Sequence, residues 1–112
     1  MRVLLIDDLR DFINPPADYD IARTSDEAIH LLSVNNYTGV FWDHDLGGED
    51  TTMKVVSWLL ENAIRDNRIE IGDCIIHTSN PVGAVNLKNA LESRFLRYKT
   101  IRLNAPDYFI VR

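Results

Sequence analysis

Three short polar clusters carry most of the residues able to do chemistry: Asp7-Asp8-Leu9-Arg10, Asp43-His44-Asp45 and His77-Thr78-Ser79-Asn80. Twelve of the seventeen acidic residues are Asp. Helix surfaces prefer Glu, whereas Asp favours caps, turns and sites, so the excess directs attention to loops. Carboxylates gathered in one place repel one another and either hold protons or attract a cation. Asp oxygens are hard ligands suited to Mg²⁺ or Mn²⁺, and an adjacent imidazole extends the range to Zn²⁺. On this reading Asp7, Asp8, Asp43 and Asp45 are the candidate metal ligands. His77 and His44 are candidate acid–base groups beside Asp43, the third catalytic candidate. Arg10, Thr78, Ser79 and Asn80 are candidate phosphate contacts. Asn80-Pro81 suits the start of a helix, with Asn80 as N-cap and Pro81 at the first helical position. Free amides at that helix start would favour an anion.

Each cluster follows a short apolar run. Val3-Leu4-Leu5-Ile6, Thr38-Gly39-Val40-Phe41-Trp42 and Cys74-Ile75-Ile76 read as strands buried on both faces. Tyr19 to Arg23 reads as a further strand and Thr100 to Leu103 as a fifth. Between them, Thr24-Ser25-Asp26-Glu27 is a capping box opening a helix with Ala28, Leu31 and Leu32 on its apolar face. A second helix is expected over Thr52 to Asp66 and a third from Pro81 to about Leu96. Asn14-Pro15-Pro16 breaks any helix after the first strand. Asp50 and Asp73 read as turn or cap residues, Gly47-Gly48 as a tight turn, and Trp42 and Trp58 as core. Tyr108 to Val111 reads as either an edge strand or a packed loop.

Strands alternating with helices predict an α/β domain spanning residues 1–112. Its sheet is expected to be parallel, five-stranded, flavodoxin-like in the order 2-1-3-4-5, with a degenerate first helix. In that order the three strands that end in polar clusters are neighbours, about 4.8 Å apart. Their C-terminal ends face one crevice, where open α/β sheets bind ligands. Strand parity sets a condition on His44: on a regular strand its ring points opposite to Asp43 and Asp45. His77 also has a plain alternative, a hydrogen-bonded histidine in the core.

The chain has 112 residues and a net charge of −5, with no basic stripe. That argues against duplex DNA as a partner, while a short nucleic-acid end in a local pocket remains compatible. No apolar run reaches the ~20 residues of a membrane span. A single cysteine, Cys74, allows no internal disulfide and suits a reducing compartment.

The motifs resemble the two-component receiver domain: Asp7-Asp8 its metal pair, Asp43 its phospho-acceptor, Thr78 its hydroxyl residue. The lysine expected near Leu103-Asn104-Ala105-Pro106 is missing. A closer resemblance is to the receiver-like cyclic-phosphate processing receiver domain family. Its motifs look like Asp-Asp-x-Arg, Asp-His-Asp-Leu-Gly and His-(Ser/Thr)-x-Asn-Pro-x-Gly, here Asp7 to Arg10, Asp43 to Gly47 and His77 to Gly83. The Arg23-Thr24-x-x-Glu27-Ala28 stretch resembles its second segment. The resemblance implies a metal-dependent phosphodiesterase acting on a cyclic nucleotide or a 2′,3′-cyclic phosphate RNA end. It also implies a bacterial or phage-infected bacterial cytoplasm. The alternatives are a non-catalytic module binding a cyclic nucleotide or a protein, and a receiver phosphorylated on Asp43.

Overall fold

A computed structural model describes residues 2–66, 71–95, 101–102 and 109–111. The element order is β1 (Val3–Ile6), β2 (Arg10–Phe12), β3 (Tyr19–Ala22), α1 (Ser25–Val34), β4 (Tyr37–Trp42), α2 (Met53–Asp66), β5 (Ile71–Ile76), α3 (Pro81–Phe95), β6 (Ile101–Arg102) and β7 (Phe109–Val111). The main sheet runs β3-β1-β4-β5-β6, and all of its pairings are parallel. Counted along this sheet alone, that is the expected 2-1-3-4-5 order.

The alternation of side chains across each strand divides the apolar residues between two faces. Leu4, Ile6, Val40, Trp42, Cys74 and Ile76 meet Leu32 of α1, Val56 and Leu59 of α2, and Leu87 and Leu91 of α3 in one buried core. The helices described here therefore cover one face. On the other, Leu5 and Phe41 pack with Phe12 of β2. Phe12 meets Phe41 and Tyr19 edge-on, at ring-centroid distances of 5.3 and 5.4 Å. Trp42 is fully buried, in keeping with a core role.

The slot of the degenerate first helix holds strand β2, which pairs antiparallel with β7, Arg10 opposite Val111. The Asn14-Pro15-Pro16 breaker removes the helix as expected, but the strand is invisible locally because its partner lies about 100 residues away. β7 takes the edge-strand alternative. Asp73 departs from expectation: β5 begins at Ile71, and Asp73 is an exposed residue inside the strand, opposite Gly39. Gly72 precedes it because a Cβ there would meet the Thr38 carbonyl oxygen at 1.8 Å. A Gly-Asp pair thus reads as a turn while serving a close strand approach. The expected positions Leu96, Thr100, Leu103, Asn104 and Tyr108 lie outside the described residues.

α1 opens as the capping box predicts. Thr24 Oγ1 accepts from the Glu27 amide at 3.1 Å, and Glu27 returns a bond to the Arg23 amide at 2.8 Å. Asp50 ties this helix start to the loop after β4, accepting from the Ser25 amide at 2.9 Å and the Ser25 hydroxyl at 2.6 Å. Gly47 and Gly48 have φ of 93° and 57°, a backbone region that suits glycine, and so turn the chain between Leu46 and Asp50.

Candidate functional site

The sheet ladder continues one residue past the strands. Asp7 N–H donates to the Ala22 carbonyl, Asp43 N–H to that of Ile6, and His77 N–H to that of Trp42, at 2.9–3.0 Å. Ile6, Trp42 and Ile76 are aligned across β1, β4 and β5. Asp7, Asp43 and His77 therefore stand side by side in the next row, on the face of Leu5, Phe41 and Ile75. The convergence follows from register.

Asp7, Asp8 and Asp43 each bring a carboxylate oxygen to a point where all three lie within 4.8 Å of one another. Asp7 is almost fully buried. Its Oδ1 accepts from the amides of Leu9 and Arg10, both at 2.8 Å, and its Oδ2 meets His77 Nε2 at 2.9 Å. Burial raises its pKa, but the His77 bond and the two amide bonds outweigh it and hold the carboxyl below the ordinary carboxylate range. Asp43 shifts the opposite way. Burial, then the charge of Asp7, push its carboxyl above that range against the opposing pull of His77, Thr78 and the His44 amide. Asp8 has no protein hydrogen bond among the described residues and lies beneath the Gly47 turn. Two carboxylates at odds over one charge, with a third beside them, suit a hard divalent cation.

The His77 ring is directed at Asp7. Its side chain is 4% exposed and is engaged on Asp7 through Nε2. It stands against a buried carboxylate. The Arg10 guanidinium reaches from the start of β2 to the end of β5, donating through Nη1 to the His77 carbonyl at 2.9 Å. Arg23 went unassigned in the sequence, although it stands beside the capping box. It donates to the carbonyls of Arg10 and Asp7 at 2.7 and 3.2 Å and to Asp11 Oδ1 at 2.5 Å, so it pins the loop bearing Asp8 and Arg10.

Asp45 is not part of the carboxylate group. Its Oδ1 is 3.0 Å from His44 Nδ1, and its Oδ2 accepts from Asn80 Nδ2 at 3.1 Å. These bonds hold its pKa down, the His44 bond first. The parity condition on His44 decides the rest. Its ring leaves the row of Asp43 and rests on α3, where a Cβ on Gly83 would lie 2.5 Å from His44 Cγ. The two histidines thus meet different carboxylates, His77 Asp7 and His44 Asp45.

Asn80 is the N-cap, its Oδ1 accepting from the Gly83 amide at 3.0 Å. This corrects the expectation of several free amides. Pro81 has none, Gly83 bonds the cap, and Ala84 donates to the Asn80 carbonyl, leaving Val82 as the first-turn amide outside these bonds. Thr78 bonds Asp43 through its side chain and accepts from the Asn80 amide at 3.2 Å. Ser79 is exposed.

Gly83 is the position whose role the sequence concealed, since glycine inside a helix normally weakens it. Gly83→Ala should ordinarily gain up to ~1 kcal/mol of helix stability. Here the new methyl strikes the His44 ring, and a loss of about 1–3 kcal/mol from overpacking is expected instead. Thermal melts of Gly83→Ala, His44→Ala and the double variant test this. The double should recover most of the loss, and a Gly83→Ala chain more stable than the parent would refute the packing argument.

The family model for the cyclic-phosphate processing receiver domain matches residues 2–93, which include every candidate site residue. Neither the curated proteins nor the solved structures compared with the chain contain a significant match. Among the described residues no helix is long and apolar enough to cross a membrane. With four-fifths of its length matched and its strands in receiver order, the chain belongs to the cyclic-phosphate processing receiver domain family.

Proposed function

We propose that this domain is a phosphoesterase that opens a cyclic phosphate, either a cyclic nucleotide or a 2′,3′-cyclic end, with a divalent cation at its site. The observation that carries the reading is the meeting of Asp7, Asp8 and Asp43 at adjacent strand ends, their oxygens within 4.8 Å. These carboxylates would hold Mg²⁺ or Mn²⁺, with Zn²⁺ a third choice. Bound there, the cation would neutralise developing phosphoryl charge and activate water.

The chain's own residues do the rest. His77 keeps Asp7 ionised and oriented. Arg10, anchored on the His77 carbonyl through one nitrogen, keeps further guanidinium donors for phosphate oxygens. Thr78, which already bonds Asp43, and the exposed Ser79 would supply further contacts to phosphate oxygens. The lysine that would couple an acyl phosphate on Asp43 to a switch is absent from the sequence, which favours hydrolysis over signalling.

The test is incubation with 2′,3′-cyclic mononucleotides and cyclic dinucleotides, followed by product analysis. Ring opening that requires Mg²⁺ or Mn²⁺ and stops with EDTA is expected. Binding without turnover would replace the esterase by a sequestering module. A phosphoryl-aspartate formed from acetyl phosphate, with shifts spreading to α3 and β6, would restore the receiver reading.

A further inference from the structure

We infer that Arg23 is a positioning residue of the cation site, fixing Asp8 by clamping the backbone on both sides of that carboxylate. The inference rests on the proposed cation site and adds to it a residue that touches neither metal nor substrate.

The three carboxylates at the strand ends are not held alike. Asp7 is fixed by the His77 ring and by the amides of Leu9 and Arg10. Asp43 is fixed by the Thr78 side chain and the His44 amide. The Asp8 side chain has no protein hydrogen bond among the described residues. A carboxylate without a bond of its own goes where its backbone sends it. Whatever fixes the chain from Asp7 to Arg10 therefore decides whether Asp8 can join the other two.

Two charged side chains share that task. Asp7 Oδ1 takes the amides of Leu9 and Arg10, both at 2.8 Å. Arg23 Nη1 takes the carbonyls, donating to those of Arg10 and Asp7 at 2.7 and 3.2 Å. Those two carbonyls bracket Asp8 and Leu9. Arg23 Nη2 is anchored on Asp11 Oδ1 at 2.5 Å, which aims the guanidinium. Lysine presents a single point of charge and cannot reproduce this planar set of bonds.

The same junction between β3 and α1 also holds the turn beside Asp8. Ser25, two residues on, binds Asp50 through its amide and hydroxyl at 2.9 and 2.6 Å. The Asp50 amide donates to the Gly47 carbonyl at 3.1 Å, and a Cβ on Gly47 would lie 3.7 Å from Asp8 Oδ2. Arg23 and Ser25 thus tie down both the segment that carries Asp8 and the turn packed against it.

Mn²⁺ binding to EDTA-treated protein, followed by loss of the free-ion EPR signal, reads the effect without any turnover. Arg23→Lys keeps the charge and should weaken Mn²⁺ binding about 10-fold, the cost of disturbing a group that orients a metal ligand. Asp11→Asn leaves the arginine in place and should weaken it about 2- to 5-fold, so a milder variant carries the test if Arg23→Lys folds poorly. Because Arg23 acts through Asp8, Arg23→Lys added to Asp8→Asn should weaken binding by less than about 2-fold further. In the metal-free chain, hydrogen exchange at the Leu9 and Arg10 amides should quicken in Arg23→Lys while the amides of β4 and β5 keep their protection. Unchanged Mn²⁺ affinity in both single variants would overturn the inference and leave the cation site standing. So would a full 10-fold loss in the Asp8→Asn background, since Arg23 would then act by a route other than Asp8. A parent that binds neither Mg²⁺ nor Mn²⁺ would overturn the cation site and this inference together.

Discussion

His77→Leu should cost about 3 kcal/mol of stability, which for a chain of this size lowers the melting temperature by roughly 10–15 °C. The leucine fills the space but leaves the carboxylate of Asp7 buried without its 2.9 Å partner. The two amide bonds to its other oxygen remain, which keeps the loss at the lower end for a broken buried pair. The effect carries a pH signature. In the parent the folded pKa of Asp7 is depressed, so its stabilising contribution is present above the ordinary carboxylate range and fades as pH falls through the folded value. Without His77 the burial that already opposes ionisation becomes dominant, and Asp7 takes a proton more readily. The deficit of His77→Leu should therefore be largest near neutral pH and shrink toward pH ~4. Asp7→Asn in the same chain should recover much of it. Urea titrations across this range decide the matter, and a deficit that is constant with pH would show that Asp7 is not the reason His77 is there.

Asp43→Asn should raise the stability of the metal-free chain while removing its response to metal. Asp43 is driven above its ordinary range by burial and by Asp7. A carboxyl whose folded pKa is raised favours the fold in its protonated form, so the parent loses stability as pH climbs through that raised value. The asparagine has no such charge, and a gain on the order of 1 kcal/mol at neutral pH is expected. Binding of Mg²⁺ and Mn²⁺ should weaken at least tenfold, about 1.4 kcal/mol, and turnover should fall with it. Melts with and without Mn²⁺, together with calorimetric titration of EDTA-treated protein, give both halves. If the parent binds none of Mg²⁺, Mn²⁺ and Zn²⁺, the carboxylates are not a metal site.

Much of this site was legible because it depends on where strands stop. Val3 to Ile6, Thr38 to Trp42 and Cys74 to Ile76 each end in polar residues, and parallel register converts three separate endings into one row. The same parity that gathers Asp7, Asp43 and His77 turns His44 away toward α3, as the alternation of a strand requires. The rest was not legible because it depends on partners distant in sequence. Nothing around Asp45 shows that Asn80 will reach it, and nothing around His77 shows that 70 residues earlier Asp7 takes its Nε2. A glycine within a helix reads as a weakness until the His44 ring beside Gly83 is seen. Arg10 to Phe12 form a strand only because Phe109 to Val111 come back to meet them.

That returning strand also governs when the site can exist. Closing a loop between Arg10 and Val111 costs entropy that grows with the logarithm of the intervening length, and such distant pairings form slowly. A chain emerging from the ribosome can pair β1 with β3 and β4, and then add β5, long before residue 111 is available. The loop holding Asp8 then leads into a β2, starting at Arg10, that has no β-partner. Arg23 can already tie the loop, but β2 gains its strand partner last, after the helices have their core. A nascent or truncated chain would thus have a receiver-like sheet and an unpaired β2 at the same time. For this domain, acquiring a stable fold and acquiring a finished site are two events separated in time.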